Sequence, residues 1–169
     1  MEGYDLVALL LDGKTFAEDE MVIVLGVTVK GHKIILGFVQ TATENTRVIA
    51  ELLRGLVERG LRYEQGLLVV IDGSKGLRRG VQEVFGDAAA VQRCTWHKRE
   101  NVVAHLPQVQ QTTWRQKLQG AYEQPTHAEA KGVLDRLARE LRVLNESAAR
   151  SLAEGLEETL TLHRLGVGG

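Results

Sequence analysis

The apolar positions of this chain change period midway, and that change organises the rest. Residues Leu67-Leu68-Val69-Val70-Ile71 form an unbroken apolar run bounded by Gly66 and Asp72. A run so short and so rich in β-branched residues predicts a strand buried on both faces. Directly after it, Leu77, Val81, Val84 and Phe85 fall on one helical face. Gly73 lets the chain turn, Ser74 stands where an N-cap belongs, and Gly86 where a helix-ending glycine belongs. Residues 88–95 then predict another strand, leading into Cys94-Thr95-Trp96-His97.

Upstream, residues 5–11 predict a strand ending at Asp12, with 13–19 as a connection, and residues 21–29 and 33–40 predict two more strands around a Lys30-Gly31 turn. Three strands this close leave no room for crossover helices and must form an antiparallel meander. Over residues 45–60 the period becomes helical: Val48, Ile49, Leu52, Leu53, Leu56 and Val57 recur in pairs, and Gly60 closes the segment. Three antiparallel strands, a helix, a strand, a helix and a fifth strand is the predicted order.

No strand pattern follows Lys98. Residues 98–106 predict a short helix stopped at Pro107, and residues 110–124 a second one before Gln124-Pro125-Thr126. Leu134, Leu137, Leu141 and Leu144 step by threes and fours along a packing seam. Asn145 and Ser147 offer a break and a new N-cap, with Leu152, Leu156 and Leu160 continuing on a further helix. The plain reading is an antiparallel helical hairpin burying its leucines; the alternative is a homo-oligomer formed through these C-terminal helices. Gly166 to Gly169 is linker-like.

Composition narrows the class. A chain of 169 residues suits one domain with a subsidiary helical lobe, and 44% hydrophobic and 25% charged residues are ordinary globular values. A formal net charge of −1 carries no overall basic signature, a mild argument against nucleic-acid binding unless the charge is unevenly spread. The single cysteine excludes an internal disulfide framework and suits a reducing compartment. No apolar stretch reaches membrane-spanning length and the first residues lack a signal-peptide pattern, so the expectation is a soluble, cytoplasmic protein.

The candidate chemistry sits at strand tips. Open α/β sheets usually carry it at the carboxyl ends of their strands, where Asp72 falls. Taken alone, Asp72 also reads as a turn or helix-capping residue, and Asp12, followed by Gly13, as a turn residue. Cys94-x-x-His97 has no second Cys or His pair at zinc spacing and is half a zinc site. Its residues either support the floor of a site or, for His97, contact a ligand or handle a proton near neutral pH. Lys75, Arg78, Arg79, Lys98 and Arg99 cluster around the two predicted helix starts, where they could meet phosphates or simply form a solvated charged face.

The combination Asp72-x-x-x-Gly76-Leu77, then Val84-Phe85, then Gln92-Arg93-Cys94-x-x-His97, resembles the signature of the Mutator-type transposase family, which includes many bacterial insertion-sequence transposases. Gly86 stands where that family usually has proline or threonine, and the segment before Gln92 is one residue longer than the common form, which suggests a subgroup. Leu9-Leu10-Leu11-Asp12-Gly13 is similar to the segment carrying the family's first catalytic aspartate, and residues 154–166 to the run preceding its catalytic glutamate. The likeness covers nearly the whole chain.

The resemblance implies an α/β, ribonuclease H-like fold, a mixed five-stranded sheet with an all-helical insertion. Residues 1–97 would be the first part of the catalytic core, and 98–169 the insertion, truncated before the third acid. In that fold the first and fourth strands adjoin, so Asp12 and Asp72 would converge as catalytic, metal-binding residues of an Asp-Asp-Glu transposase. Mg²⁺, with Mn²⁺ as substitute, would be the cofactor and DNA (transposon ends and target) the partner. Glu154, Glu157 and Glu158 lie in the segment before the expected glutamate and are not assigned its role. The fragment itself is then expected to be inactive. Two other readings compete: a truncated, non-catalytic remnant that folds and self-associates, and a receiver-type phosphoacceptor domain, against which the closely spaced first strands argue.

Overall fold

The computed structural model of the chain describes residues 6–16, 19–41 and 46–166. Asp5, Asn45 and the tail beyond Gly166, all included in the sequence expectations, lie outside them. The described chain divides into two compact units, one ending at Val91 and the other beginning at Gln92, ahead of the boundary expected after His97.

The first unit is built on the predicted meander. Strands β1 (Leu6–Phe16), β2 (Asp19–Thr28) and β3 (Lys33–Thr41) pair antiparallel in sequence. The β2–β3 hairpin turns through Gly31, whose φ of 86° favours glycine. Its amide donates to the Thr28 carbonyl at 2.8 Å, closing the turn. Helix α1 (Thr46–Glu58) follows, then β4 (Leu67–Ile71), α2 (Lys75–Phe85), a 3₁₀ turn (Gly86–Ala88) and β5 (Ala89–Arg93). The sheet order is β3-β2-β1-β4-β5, and β4 runs parallel to β1. The α/β class and the mixed five-stranded sheet are therefore present.

One sheet face makes the core. Leu9 and Leu11 of β1, Val22 and Val24 of β2, and Leu67, Val69 and Ile71 of β4 pack with Ile49, Leu53 and Leu56 of α1 and Leu77, Val81 and Phe85 of α2. Each such side chain contributes roughly 1.5–3 kcal/mol on burial, so the two apolar stripes fix both helices against the sheet. Gly80 lets α1 and α2 approach closely: a Cβ there would lie 2.5 Å from Cγ2 of Ile49.

β1 does not end at Asp12 as expected. It continues to Phe16 because β2 keeps pairing with it, with Asp12 opposite Ile23 and Gly13 opposite Val22. The expected 13–19 connection is thus mostly strand. At the other end, β5 stops at Arg93, so Thr95, Trp96 and His97 begin a helix rather than extend a strand.

The second unit is helical: α3 (Thr95–Val103), α4 (Gln108–Tyr122), α5 (His127–Leu144), α6 (Glu146–Ala153), a 3₁₀ segment (Leu156–Leu160) and α7 (Thr161–Arg164). Its core gathers Val102, Trp114, Leu118, Leu134, Leu137, Leu141, Leu152 and Leu160. Asn145 is the N-cap between α5 and α6, its Oδ1 accepting from the Ala148 amide at 2.9 Å. Leu144 departs from the expected seam and is 52% exposed at the end of α5. Nor do Leu152, Leu156 and Leu160 share one helix: α6 ends at Ala153, Glu154 is extended and Gly155 is left-handed at φ 65°. Among the described residues no helix is long and apolar enough to cross a membrane.

Candidate active site

The parallel ladder between β1 and β4 pairs Ala8 with Leu68, Leu9 with Val69 and Leu10 with Val70. Continued by two residues, that register sets Asp12 opposite Asp72. Side chains alternate along a strand, and Leu9, Leu11, Val69 and Ile71 are the ones buried in the core. Asp12 therefore shares the other sheet face with Leu10, and the same alternation assigns Asp72 to the face of Val70. Both aspartates are partly buried. Asp12 lies inside β1 yet just past the end of its ladder with β4, so it occupies the strand-tip position relative to Asp72 though not relative to β2.

The turn after β4 holds Asp72 in place. Gly73 has φ 105°, and the Ser74 amide donates to Oδ1 of Asp72 at 2.9 Å, an Asx-turn. Ser74 is the N-cap of α2, its Oγ accepting from the Leu77 amide at 3.4 Å. A carboxylate offers about four lone-pair positions, so one hydrogen bond orients Asp72 without consuming it. Two hard oxygen donors on one face suit a cation such as Mg²⁺, which keeps several of its waters. Among the described residues, no group of three or more His, Cys, Asp or Glu could hold a metal ion.

The basic residues divide. Lys75, Arg78 and Arg79 are exposed on one stripe of α2, three and four residues apart, beginning beside the Asp72 turn. Lys98 does not belong with them: it is 3% exposed. Its Nζ donates to the carbonyls of Ser151 (2.6 Å) and Glu154, and lies 3.4 Å from the Glu154 carboxylate. It satisfies acceptors at the end of α6 and is not available as a surface phosphate contact. Burial, and next the charge of Arg93, hold its ammonium below the usual lysine range, with Glu154 opposing. Arg99 is partly buried, its Nε donating to Glu100 (3.2 Å) and its Nη1 to Gln119 (3.1 Å).

Cys94 is the N-cap residue of α3 and makes no side-chain capping bond; its thiol is free and partly buried. His97 is partly buried, its ring edge-on to Trp96 at 5.1 Å, and its Nδ1 is enclosed without a hydrogen-bond partner among the described residues.

The residues beside this pair have firmer roles, which the sequence reading missed. Gln92 donates from Nε2 to the Thr159 carbonyl at 2.9 Å and accepts from the Leu162 amide at 2.9 Å. Arg93 donates from Nη1 to the Glu154 carboxylate at 2.7 Å. Burial alone would raise the Glu154 carboxyl, but hydrogen bonding and charge from Arg93, then Lys98, bring it below the ordinary glutamate range. Arg93 and Lys98 thus anchor the break after α6, and Gln92 anchors the 3₁₀ segment and α7 that follow it. Their partners lie over fifty residues away in sequence, beyond the reach of any local pattern. Two further histidines of this unit also have partners: His127 with Glu157 at 3.1 Å and His163 with the Tyr122 carbonyl at 2.9 Å.

Comparison with known proteins agrees with the motif. The family model described as "Transposase, Mutator family" matches residues 5–167. Among similar proteins are the transposase for insertion sequence element IST2 of Acidithiobacillus ferrooxidans, 27% identical over 85% of this chain and 48% of that protein; that for IS6120 of Mycolicibacterium smegmatis, 34% identical over 63% of this chain and 34% of that protein; and that for ISRM5 of Rhizobium meliloti, 30% identical over 86% and 36% respectively. The matched region is less than half the length of each of these relatives. The strand-borne aspartate, the Cys-x-x-His motif and a match over nearly the full length converge: this chain belongs to the Mutator family of transposases.

Proposed function

We propose that this chain is part of the catalytic region of an insertion-sequence transposase, in which Asp12 and Asp72 hold divalent cations for phosphoryl transfer on DNA. The observation that carries the reading is the β1–β4 register, which ends at Leu10 and Val70 and, extended by two residues, would set the two carboxylates opposite one another. The sheet order, with three antiparallel strands and a fourth strand parallel to the first, supports a ribonuclease H-like assignment. Mg²⁺, or Mn²⁺ in its place, would activate an attacking oxygen and stabilise a leaving one, first in hydrolysis at a transposon end and then in strand transfer to target DNA.

Within that reading Asp72, fixed by its own turn, is the pre-oriented ligand, and Asp12, held in β1 by its pairing with β2, is the second. Lys75, Arg78 and Arg79 would contact DNA phosphates, without reading sequence. Glu154 and Glu157 are not offered as the third acid, because Arg93 and Lys98 engage the first and His127 the second. The helical unit from Gln92 onward would be the insertion characteristic of this fold.

The test uses Fe²⁺ in place of Mg²⁺, with ascorbate and peroxide, so that radicals cut the polypeptide beside the bound metal. Fragments ending near Asp12 and Asp72, suppressed by excess Mg²⁺ and lost in Asp12→Asn and Asp72→Asn, support the site. Cutting elsewhere, or cutting indifferent to both substitutions, removes it.

A further inference from the structure

The two tryptophans of the helical unit are treated very differently. Trp114 is 3% exposed in the core, whereas Trp96 is 56% exposed in the first turn of α3. Exposure of a single apolar side chain is ordinary; what distinguishes Trp96 is what lies beside it. Trp96 borders a cleft of about 290 Å³, lined also by Thr95, Arg99, Gln119, Tyr122 and Glu123.

The polar wall of the cleft is already organised. The Gln119 side chain accepts from Nη1 of Arg99 at 3.1 Å and donates to Oε1 of Glu123 at 2.9 Å. Arg99 is also balanced by Glu100 at 3.2 Å. The cleft therefore has no surplus positive charge to attract a phosphate. It offers an aromatic face, a fixed chain of hydrogen-bonding groups and a carboxylate with acceptor capacity to spare. A flat, uncharged heterocycle with amino groups on its edge matches that combination.

We propose that this cleft receives an unpaired nucleobase of single-stranded DNA, stacked on Trp96 with its edge toward Glu123. The inference rests on the reading of the chain as a DNA-handling transposase segment. Bases inside a duplex have both faces covered, so only a base outside the stack can enter. Glu123 accepts from an exocyclic amino group, as carboxylates do from cytosine N4. Thymine has no such group. The cleft therefore favours cytosine over thymine.

The experiment titrates the intact chain, without metal, against short oligodeoxycytidylate and oligothymidylate, following fluorescence anisotropy and tryptophan quenching. Oligodeoxycytidylate binds more tightly and quenches the exposed tryptophan. Trp96→Ala weakens binding about 5- to 150-fold, the range one stacked base carries. Trp96→Phe retains most of the affinity, and Glu123→Gln removes the preference for cytosine. Melting temperatures check that the variants fold, as expected for exposed positions. Wild-type affinity in Trp96→Ala, no binding of either oligonucleotide, or losses confined to charge reversals on α2 would overturn the proposal. Failure of the metal site would appear instead as radical cutting indifferent to Asp12→Asn and Asp72→Asn, with oligonucleotide binding unchanged, so the two readings fail separately.

Discussion

The Cβ that Gly155 lacks would stand 1.8 Å from Nη1 of Arg93. The same guanidinium nitrogen donates to the Glu154 carboxylate, so glycine here makes room for the ion pair that fastens the end of α6. Gly155→Ala meets two penalties: a left-handed backbone at φ 65° and a displaced, buried arginine. The expected loss is about 2–4 kcal/mol, read as a lower midpoint in urea unfolding. A neutral result would show that Arg93 can leave without consequence.

Gly80 supplies the corresponding test in the sheet unit. Alanine normally gains about 1 kcal/mol over glycine within a helix. Here the added methyl would meet Ile49 at 2.5 Å, so overpacking wins and Gly80→Ala destabilises by about 1–3 kcal/mol. The double variant Gly80→Ala with Ile49→Val should recover part of that loss. Stabilisation by Gly80→Ala alone would contradict the close approach of α1 and α2.

The Arg93–Lys98–Glu154 group gives stability two pH dependences. Glu154 has a depressed folded pKa, so its contribution is present above about 4.5 and is lost as pH falls through the folded value. With the carboxylate 62% exposed, screening keeps that contribution below about 1 kcal/mol. Lys98, lowered from 10.5, has the opposite meaning: its charged form carries a burial cost, relieved as pH rises from the folded value toward 10.5. Comparing urea midpoints across pH, Glu154→Gln should flatten the acid limb and Lys98→Met the alkaline one. Unchanged limbs would dissociate the group from the pH response.

Local pattern carried most of this fold. The apolar run 67–71 became β4 without adjustment, and Ser74 and Gly86 cap α2 as their residue types suggest. The errors arose where distant pairing decides. Gly13 reads as a breaker, but β2 continues to pair beyond it, so β1 extends to Phe16. Leucines at 152, 156 and 160 keep helical spacing across a break at Gly155, where the side chain of Arg93, far upstream, leaves no room for a Cβ. Lys98 reads as a surface cation because its burial depends on carbonyls of α6. For the candidate site, Asp72 was legible as the residue just past β4, while Asp12 falls inside β1 and not at its end; the cleft beside Trp96 was not legible, since α3 and α4 each contribute only part of it.

Efficient cleavage is not expected of this chain alone. In-line phosphoryl transfer with two metals requires both ions to be fixed, and a displacement of about 1 Å can cost ~100-fold in rate. Among the described residues no group of three or more His, Cys, Asp or Glu could hold a metal ion. In a plasmid-nicking assay with Mg²⁺ or Mn²⁺, the chain should match its Asp12→Ala and Asp72→Ala variants. Robust nicking lost in both variants would mean that a glutamate within these residues completes the site.

The pairing of Asp12 with Asp72 as a cation site is tested most directly by titrating the chain with Mn²⁺ and following free ion by electron paramagnetic resonance. Two carboxylates without a third make an open site, so weak binding is predicted, displaced by excess Mg²⁺ and abolished by either Asp12→Asn or Asp72→Asn. Tight binding that survives Asp72→Asn, or weak binding unaffected by both substitutions, would contradict it.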